Sequence, residues 1–228
     1  MIRAVSFDLD ETLWPVWPAI VGAELALYEW LCDCAPAVAR AFPPEQMRSL
    51  RGEVNALSLA AGHGHDPAWI RRTQIRLAFE RSGEQPDAAR IATAYGVFEA
   101  ARQQVEPFPE VPTVLAEIAA RLPLVAITNG NADLKRIALG HHFKASFSAG
   151  QFGVAKPDPA IFLAACDHLG CAPHEVLHVG DDPALDVVAA RAVGMQTVWL
   201  NRHNTPWPLE HPIGAQAPDL HGVLALVS

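Results

Sequence analysis

The sequence predicts an α/β fold: a doubly wound parallel sheet of the Rossmann-like kind, with a four-helix segment inserted after its first strand. Three observations carry this. Four short runs, at 2–7, 124–128, 176–179 and 197–200, are nearly unbroken in Val, Ile, Leu and Ala rather than alternating. That is how strands of a parallel sheet covered on both faces read. Helix-like segments lie between the later runs, and strand–helix alternation implies right-handed crossovers. The stretch from 16 to 106, by contrast, holds no strand pattern at all.

Taken in order, the first run ends in Asp8 and Asp10, then Thr12, Leu13 and the string Trp-Pro-Val-Trp-Pro at 14–18. Pro15 and Pro18 restrict the backbone there. Trp14 and Trp17 are large enough either to pack a rigid hinge or to stack on a flat substrate. The strandless stretch reads as helices at 18–34, 44–61, 67–82 and 86–105. Pro44 and Pro67 suit first-turn positions, Asp66 suits an N-cap, and Gly62 and Gly83 mark two ends. This gives a core of 1–15 and 107–228 and an insertion of 16–106. The insertion carries nine of the seventeen basic residues, all arginine. In the core, helices are expected at 132–139, from the Lys156-Pro157-Asp158-Pro159 start to Leu169, and at 183–192 ahead of Gly194. A proline-rich tail, 206–218, precedes a short last helix at 220–226.

Composition bounds the function. The chain has 228 residues, 50% hydrophobic and 18% charged, which suits a large core and argues against disorder. A formal net charge of −8 argues against a nucleic-acid partner, though a local cation can still bind a small anion. No secretory leader is visible, and no apolar run reaches the roughly 20 residues that cross a bilayer. The expectation is a cytoplasmic monomer or homodimer with no membrane partner. Cys32, Cys34, Cys166 and Cys171 form no CxxC pair, so thiols in a reducing compartment are expected. A zinc site from Cys32, Cys34, His63, His65 and Asp66 has the wrong spacing. Helix cysteines beside a polar loop is the plainer reading. The adjacent His141 and His142 read as a surface turn rather than a catalytic base.

In open α/β sheets, ligands bind beyond the carboxyl ends of the strands. Those ends deliver Asp8 and Asp10 after the first strand and Thr128 and Asn129 after the second. Gly180, Asp181, Asp182 and Asp186 follow the run at 176–179. Lys156, one of three lysines in the chain, sits before a helix start. Several close carboxylates stay ionised only if a cation neutralises them. Oxygen-only ligands indicate a hard cation, Mg²⁺ above all, which commonly also binds a substrate phosphate. Thr128 and Lys156 supply a hydroxyl and a point charge for phosphoryl oxygens. An aspartate can be the nucleophile and a second carboxyl, two residues on, the acid and base. Asp8 and Asp10 fit these roles.

FDLDETL, TNG at 128–130, AKPD at 155–158 and GDDPALD at 180–186 together resemble the haloacid dehalogenase (HAD) superfamily of phosphohydrolases. The resemblance spans four separated motifs in family order and nearly the whole core. It implies Asp8 as nucleophile, Asp10 as general acid/base, Thr128 on the phosphate and Lys156 stabilising the charged intermediate. It implies Mg²⁺ held by Asp8, the Asp10 backbone carbonyl and Asp181. Asp182 is either a further ligand or the cap of the following helix, and Asp186 is expected to orient Lys156 or a metal-bound water. Asn129 would contact phosphate by its side chain or its backbone amide. The insertion matches the family's helical cap, which closes over the site and excludes water. The family's dehalogenases lack aspartate at the position of Asp10, because halide needs no proton on leaving. Asp10 therefore points to hydrolysis of small phosphate monoesters through an aspartyl-phosphate.

AITNGNA, AKPDPAIF and LHVGDDPALDVVAARAVGMQTVW further resemble the bacterial flavin mononucleotide phosphatase branch. That branch implies flavin mononucleotide or a riboflavin-pathway sugar phosphate as substrate. DLDETLWPVW also resembles capless magnesium-dependent phosphatases, which lack the insertion. Arg72 and Arg76, one helical turn apart on one face, are candidates for the substrate's polar part against the plainer reading of a solvated helix face. The alternatives are a 2-haloacid dehalogenase-like hydrolase, a non-catalytic regulatory HAD-like domain, and a receiver domain, which lacks the helical insertion.

Overall fold

A computed structural model describes residues 1–85 and 87–227. Two compact units emerge: Met1–Pro15 with the chain from Glu106 onward, and Val16–Val105.

β1 (Ala4–Phe7) is buried at every position, as its unbroken apolar run requires. The helical unit follows. α1 (Val16–Cys34) turns Ala19, Ala23, Leu27 and Leu31 inward at a spacing of four, the spacing that shares one helix face. α2 (Pro36–Ala41), α3 (Pro44–Ser49) and α4 (Arg51–Ala60) are short. α5 (Pro67–Arg81) starts at Asp66, whose Oδ1 accepts from the Ala68 and Trp69 amides at 2.9 and 3.0 Å. α6 (Ala88–Arg102) starts at Asp87 in the same way. Leu27, Leu31, Ile75, Phe79 and Phe98 are central to the core of this unit.

All four expected helices are present, but one is divided and α2 is an addition. The run at 44–61 breaks at Leu50, whose amide turns back to the Met47 and Arg48 carbonyls. Ser49 Oγ donates to the Gln46 carbonyl at 2.7 Å, a local bond that competes with helix continuation. Gly52 weakens the far side. The expected start of the last helix at 86 lies outside the described residues.

The remaining unit continues with α7 (Val111–Ala119), β2 (Leu124–Thr128), β3 (Phe143–Ser148), α8 (Ala149–Phe152) and α9 (Pro159–Leu169). β4 (Val176–Gly180) leads through a π-helical turn, Pro183–Val188, into α10 (Ala189–Ala192). β5 (Gln196–Leu200), β6 (Ala215–Ala217) and α11 (Leu220–Leu226) complete it. The strands form one six-stranded sheet in the order β3-β2-β1-β4-β5-β6, with every pairing parallel. Chain order reverses between β1 and β4, which opens a crevice at their carboxyl ends. β1, β2 and β4 are wholly buried, and each large apolar side chain there contributes about 1.5–3 kcal/mol.

The expected helix at 132–139 does not form. Ile137 is extended and a single-turn helix runs instead over Ala138–His142. Gly140 packs so tightly on the Leu134 carbonyl that no side chain fits there, which folds the segment back on itself. β3 and β6 escaped the sequence reading. β3 mixes Lys144 and Ser146 into a partly exposed strand, and β6 has three residues. Edge strands bury too little to leave an apolar run.

Candidate active site

Each group of the site is set by a strand end. The Asp8 amide donates to the Val179 carbonyl at 2.9 Å, joining the ends of β1 and β4. The chain then turns sharply through Glu11, which has a φ of +58°. Trp14 Nε1 donates to Asp10 Oδ1 at 2.8 Å. Trp14 is fully buried, so its ring orients Asp10 and offers no stacking face. Thr128 ends β2, and its Oγ1 accepts from the Gly130 amide at 2.9 Å. A Cβ on Gly130 would stand 2.5 Å from Asp10 Oδ2 and 3.2 Å from Thr128 Oγ1. Glycine is therefore what lets Asp10 and Thr128 approach each other.

Lys156 is held from both ends. Asn129 takes its backbone, with Oδ1 accepting from the Lys156 amide at 2.8 Å and Nδ2 donating to its carbonyl at 3.0 Å. The Asn129 side chain is thus structural. Lys156 Nζ lies 2.6 Å from both Asp8 Oδ1 and Asp186 Oδ1. Asp186 Oδ2 in turn accepts from the Asp182 amide at 3.0 Å. Any side chain at Gly180 would collide with the Asp186 carboxylate, so this second glycine also clears space for a carboxyl. Thr12 Oγ1 stands 3.2 Å from Asp181 Oδ1 and 3.4 Å from Asp8 Oδ2. Asp8, Asp181 and Asp186 each bring one oxygen to within 4.8 Å of the others.

Two carboxylates flank one ammonium, and a third, Asp181, lies close to both of them. For Lys156, burial favours the neutral form, but the charges of Asp186 and Asp8 outweigh it and raise the pKa. Burial likewise opposes ionisation of Asp186, yet Lys156 and His178 hold it below the usual carboxylate range. The settled ion pair is therefore Asp186 with Lys156. The surplus negative charge falls on the other two. Asp8 is pushed well up by burial, with Asp186 and Asp181 adding to it against Lys156. Asp181 is pushed up to about 7 by burial and then by Asp186. Asp8 and Asp181 are close oxygen donors that ionise together only with a further cation beside them, and among the described residues the cluster has no sulfur or imidazole ligand, which fits a hard divalent cation.

Asp182 stands apart from that group. Its Oδ1 accepts from the Ala184 and Leu185 amides at 2.8 Å each, the N-cap role, and Asp186 takes the place beside Asp8 and Asp181. The Asp10 carboxylate likewise lies outside the three. Arg72 and Arg76 belong to the helical unit. The Arg72 guanidinium lies 4.5 Å over the Tyr95 ring, Arg76 pairs with Glu80 at 2.6 Å, and both line a cavity of about 200 Å³ with Trp69 and Thr73.

The sequence reading missed the groups behind the site. His178 in β4 is buried, with Nδ1 2.8 Å from Ser6 Oγ and Nε2 3.3 Å from Asp186 Oδ1. Ser6 and His178 face each other in register across β1 and β4. Asp186 accepts only, so Nε2 carries the proton and Nδ1 accepts from the serine hydroxyl. Burial, above all, lowers the His178 pKa and keeps the ring neutral. The available signal was a polar residue inside each of two apolar strands, which must find a partner once buried.

A doubly wound sheet with clustered carboxylates at its switch point and a helical insertion after β1 defines a hydrolase class. A family model for haloacid dehalogenase-like hydrolases matches residues 2–194, and the chain belongs to that family. It is 33% identical over 205 residues to the 5-amino-6-(5-phospho-D-ribitylamino)uracil phosphatase YigB of Escherichia coli (strain K12), covering 89% of this chain and 85% of that one. It is 37% identical over 166 residues to a phosphoserine phosphatase of Thermus thermophilus, covering 68% of this chain and 66% of that one. The crystal structure of a 2-haloacid dehalogenase from Pseudomonas syringae pv. Tomato superposes with a TM-score of 0.88 at 34% identity, over 100% of this chain and 98% of that one.

Proposed function

We propose that the protein is a Mg²⁺-dependent phosphatase of small phosphate monoesters that works through an aspartyl-phosphate on Asp8. The observation that carries this is Asp10, held by Trp14 at 2.8 Å and crowded against Gly130 and Thr128. Displacing an alkoxide needs an acid at that position, and displacing halide does not. Asp8 attacks phosphorus, the ester P–O bond breaks, and Asp10 protonates the departing oxygen. Asp10 then takes a proton from the water that attacks phosphorus, which frees Asp8 and phosphate. Lys156, paired with Asp186 and 2.6 Å from Asp8 Oδ1, faces the charge that builds on the aspartyl-phosphate, and Asp186, backed by His178, holds it in place. Thr128 and the Asn129 amide donate to phosphoryl oxygens. A bound Mg²⁺, held by Asp8, Asp181 and the Asp10 carbonyl, would neutralise the carboxylates and the phosphoryl group.

In this reading the insertion, 16–106, is a substrate-selecting cap on the core of 1–15 and 107–228. The phosphatase relatives support phosphate esters, and the Escherichia coli relative, named for a phosphoribitylamino-uracil, supports a small sugar phosphate of that kind; flavin mononucleotide or a riboflavin-pathway sugar phosphate is proposed from the core motifs. The test is a phosphate-ester panel with Mg²⁺, run beside a chelator control and Asp8→Asn. Loss of turnover on the order of 10⁴ is expected in that variant, because an amide is a poor nucleophile. Turnover surviving in Asp8→Asn would remove Asp8 from its role. Halide release from 2-haloacids with no phosphate release would favour the dehalogenase alternative.

A further inference from the structure

The turn after β1 holds Asp10, Thr12 and Trp14 as well as the strained Glu11 backbone, whose φ of +58° is unfavourable for a residue with a Cβ. Something outside the turn has to hold it. Arg202, two residues beyond β5, does so with every end of its guanidinium. Nη2 and Nε both donate to the Thr12 carbonyl, at 2.8 and 3.2 Å. Nη1 donates to Glu110 Oε1 at 2.8 Å. The guanidinium carbon lies 3.8 Å from the centre of the Phe108 ring, and the Phe108 amide donates to the Leu13 carbonyl at 3.0 Å. Arg202 and Glu110 side chains are 10% and 15% exposed, well short of a solvated surface pair. Asn201, next in line, is itself pinned by its amide to the Ala217 carbonyl at 2.8 Å, so the clamp has a rigid base. Only arginine offers a planar fork that reaches one carbonyl twice and a carboxylate at once.

We propose that Arg202 is a positioning residue for the reacting carboxylates. It fixes the Thr12 backbone, and the Thr12 hydroxyl stands within reach of both Asp181 and Asp8, at 3.2 and 3.4 Å, with one proton to give to either. The guanidinium also ties together the two segments, 12–13 and 108–110, at which the chain leaves and re-enters the α/β unit. Releasing it lets Thr12 drift and leaves Asp8 and Asp181 without a common restraint. Its guanidinium nitrogens are taken up by the Thr12 carbonyl and Glu110, so KM for the ester is expected to stay unchanged.

The activity readout rests on the phosphatase reading, so a second readout is independent of it. Wild type, Arg202→Met, Arg202→Lys, Thr12→Ala and the double variant Arg202→Met/Thr12→Ala are compared. The readouts are p-nitrophenyl phosphate kinetics, calorimetric Mg²⁺ affinity and melting temperature. Arg202→Met is expected to lower kcat and Mg²⁺ affinity by about 10-fold to 100-fold, with KM unchanged. Arg202→Lys, which keeps the charge but loses the fork, recovers part of both. The double variant falls no lower than the poorer single variant, because both changes remove one restraint. Wild-type kcat and Mg²⁺ affinity in Arg202→Met overturn the proposal, as does a double variant whose losses multiply. If Arg202→Met does not fold, Arg202→Lys decides: a lower kcat at unchanged KM supports the proposal, and wild-type values overturn it. If wild type itself turns over no phosphate ester, the phosphatase reading fails and Mg²⁺ affinity alone decides for Arg202.

Discussion

Each of the two units holds a largely shielded cation, Lys156 at 3% side-chain exposure and Arg71 at 16%, and the two are balanced in opposite ways. In the α/β unit Lys156 meets two carboxylates at 2.6 Å each, and a third, Asp181, adds to the negative charge. In the helical unit Arg71 meets one carboxylate, Glu24, at 3.6 Å, and Glu24 is already paired with Arg48 at 2.6 Å. Arg71 lies 4.0 Å over the Phe98 ring, and among the described residues its Nη1 has no hydrogen-bond partner. Burial accordingly lowers its pKa to about 10. The pairing of Lys156 is geometrically complete and leaves a surplus of carboxylates, which fits a hard cation. The Arg71 cluster is incomplete and carries surplus positive charge. Burial of charge thus leaves an excess of carboxylates in one unit and an excess of cations in the other.

The largest effects should come from breaking the complete cluster. Lys156→Met leaves Asp8 and Asp186 buried without their partner, and should cost about 3–5 kcal/mol in urea unfolding of the chelated protein. It should also lower kcat by a factor on the order of 10²–10³. Arg71→Met removes a poorly paired cation and should stay within about 1 kcal/mol of wild type. Equal costs for the two substitutions would show that charge balance does not distinguish the units. Ser6→Ala takes the donor from His178 Nδ1 and should cost about 1–3 kcal/mol, read as a lower melting temperature. An unchanged melt would mean that the Ser6–His178 pair carries no load.

Two smaller tests sharpen the contrast. If Arg72 or Arg76 recognises the substrate, Arg72→Ala or Arg76→Ala should raise KM for the best natural ester by about tenfold, or ~1.4 kcal/mol. p-Nitrophenyl phosphate, which lacks the recognised part, should be nearly unaffected, and equal losses on both would assign these arginines to the fold. The smallest effect is at the surface. Glu175 has its pKa lowered below 4.5 by the Ala172 amide first and then by Arg3. A carboxyl depressed in this way stabilises the fold above its unfolded pKa and loses that contribution as pH falls through the folded value. The melting-temperature gap between wild type and Glu175→Gln should therefore be present at neutral pH and vanish in acid. A gap that persists in acid would rule out ionisation as its source.

Much of the fold was legible because the central strands are buried on both faces and leave unbroken apolar runs. Asp66 and Gly194 likewise marked helix ends correctly, since capping is a local matter. The edge strands β3 and β6 were not legible, because an edge strand buries too little to impose a pattern. The segment at 132–139 was misread because its fate depends on Gly140 meeting the Leu134 carbonyl, a packing event that helical propensity does not encode.

The chemistry on offer is already written in local stretches of the chain: Asp8 and Asp10 at one strand end, Thr128 at the next, Lys156 before a helix, and an acidic run after β4. Each is a local motif, set by a strand end or a helix start. Which members come together is settled by packing across the sheet. It turned Asp182 onto its own helix and brought Asp186 beside Asp8, put His178 against Ser6, and joined Arg202 to Thr12 across 190 residues. The reason is physical. A hydrogen bond between distant residues is fixed by strand order and register, and these follow from burying all the strands at once.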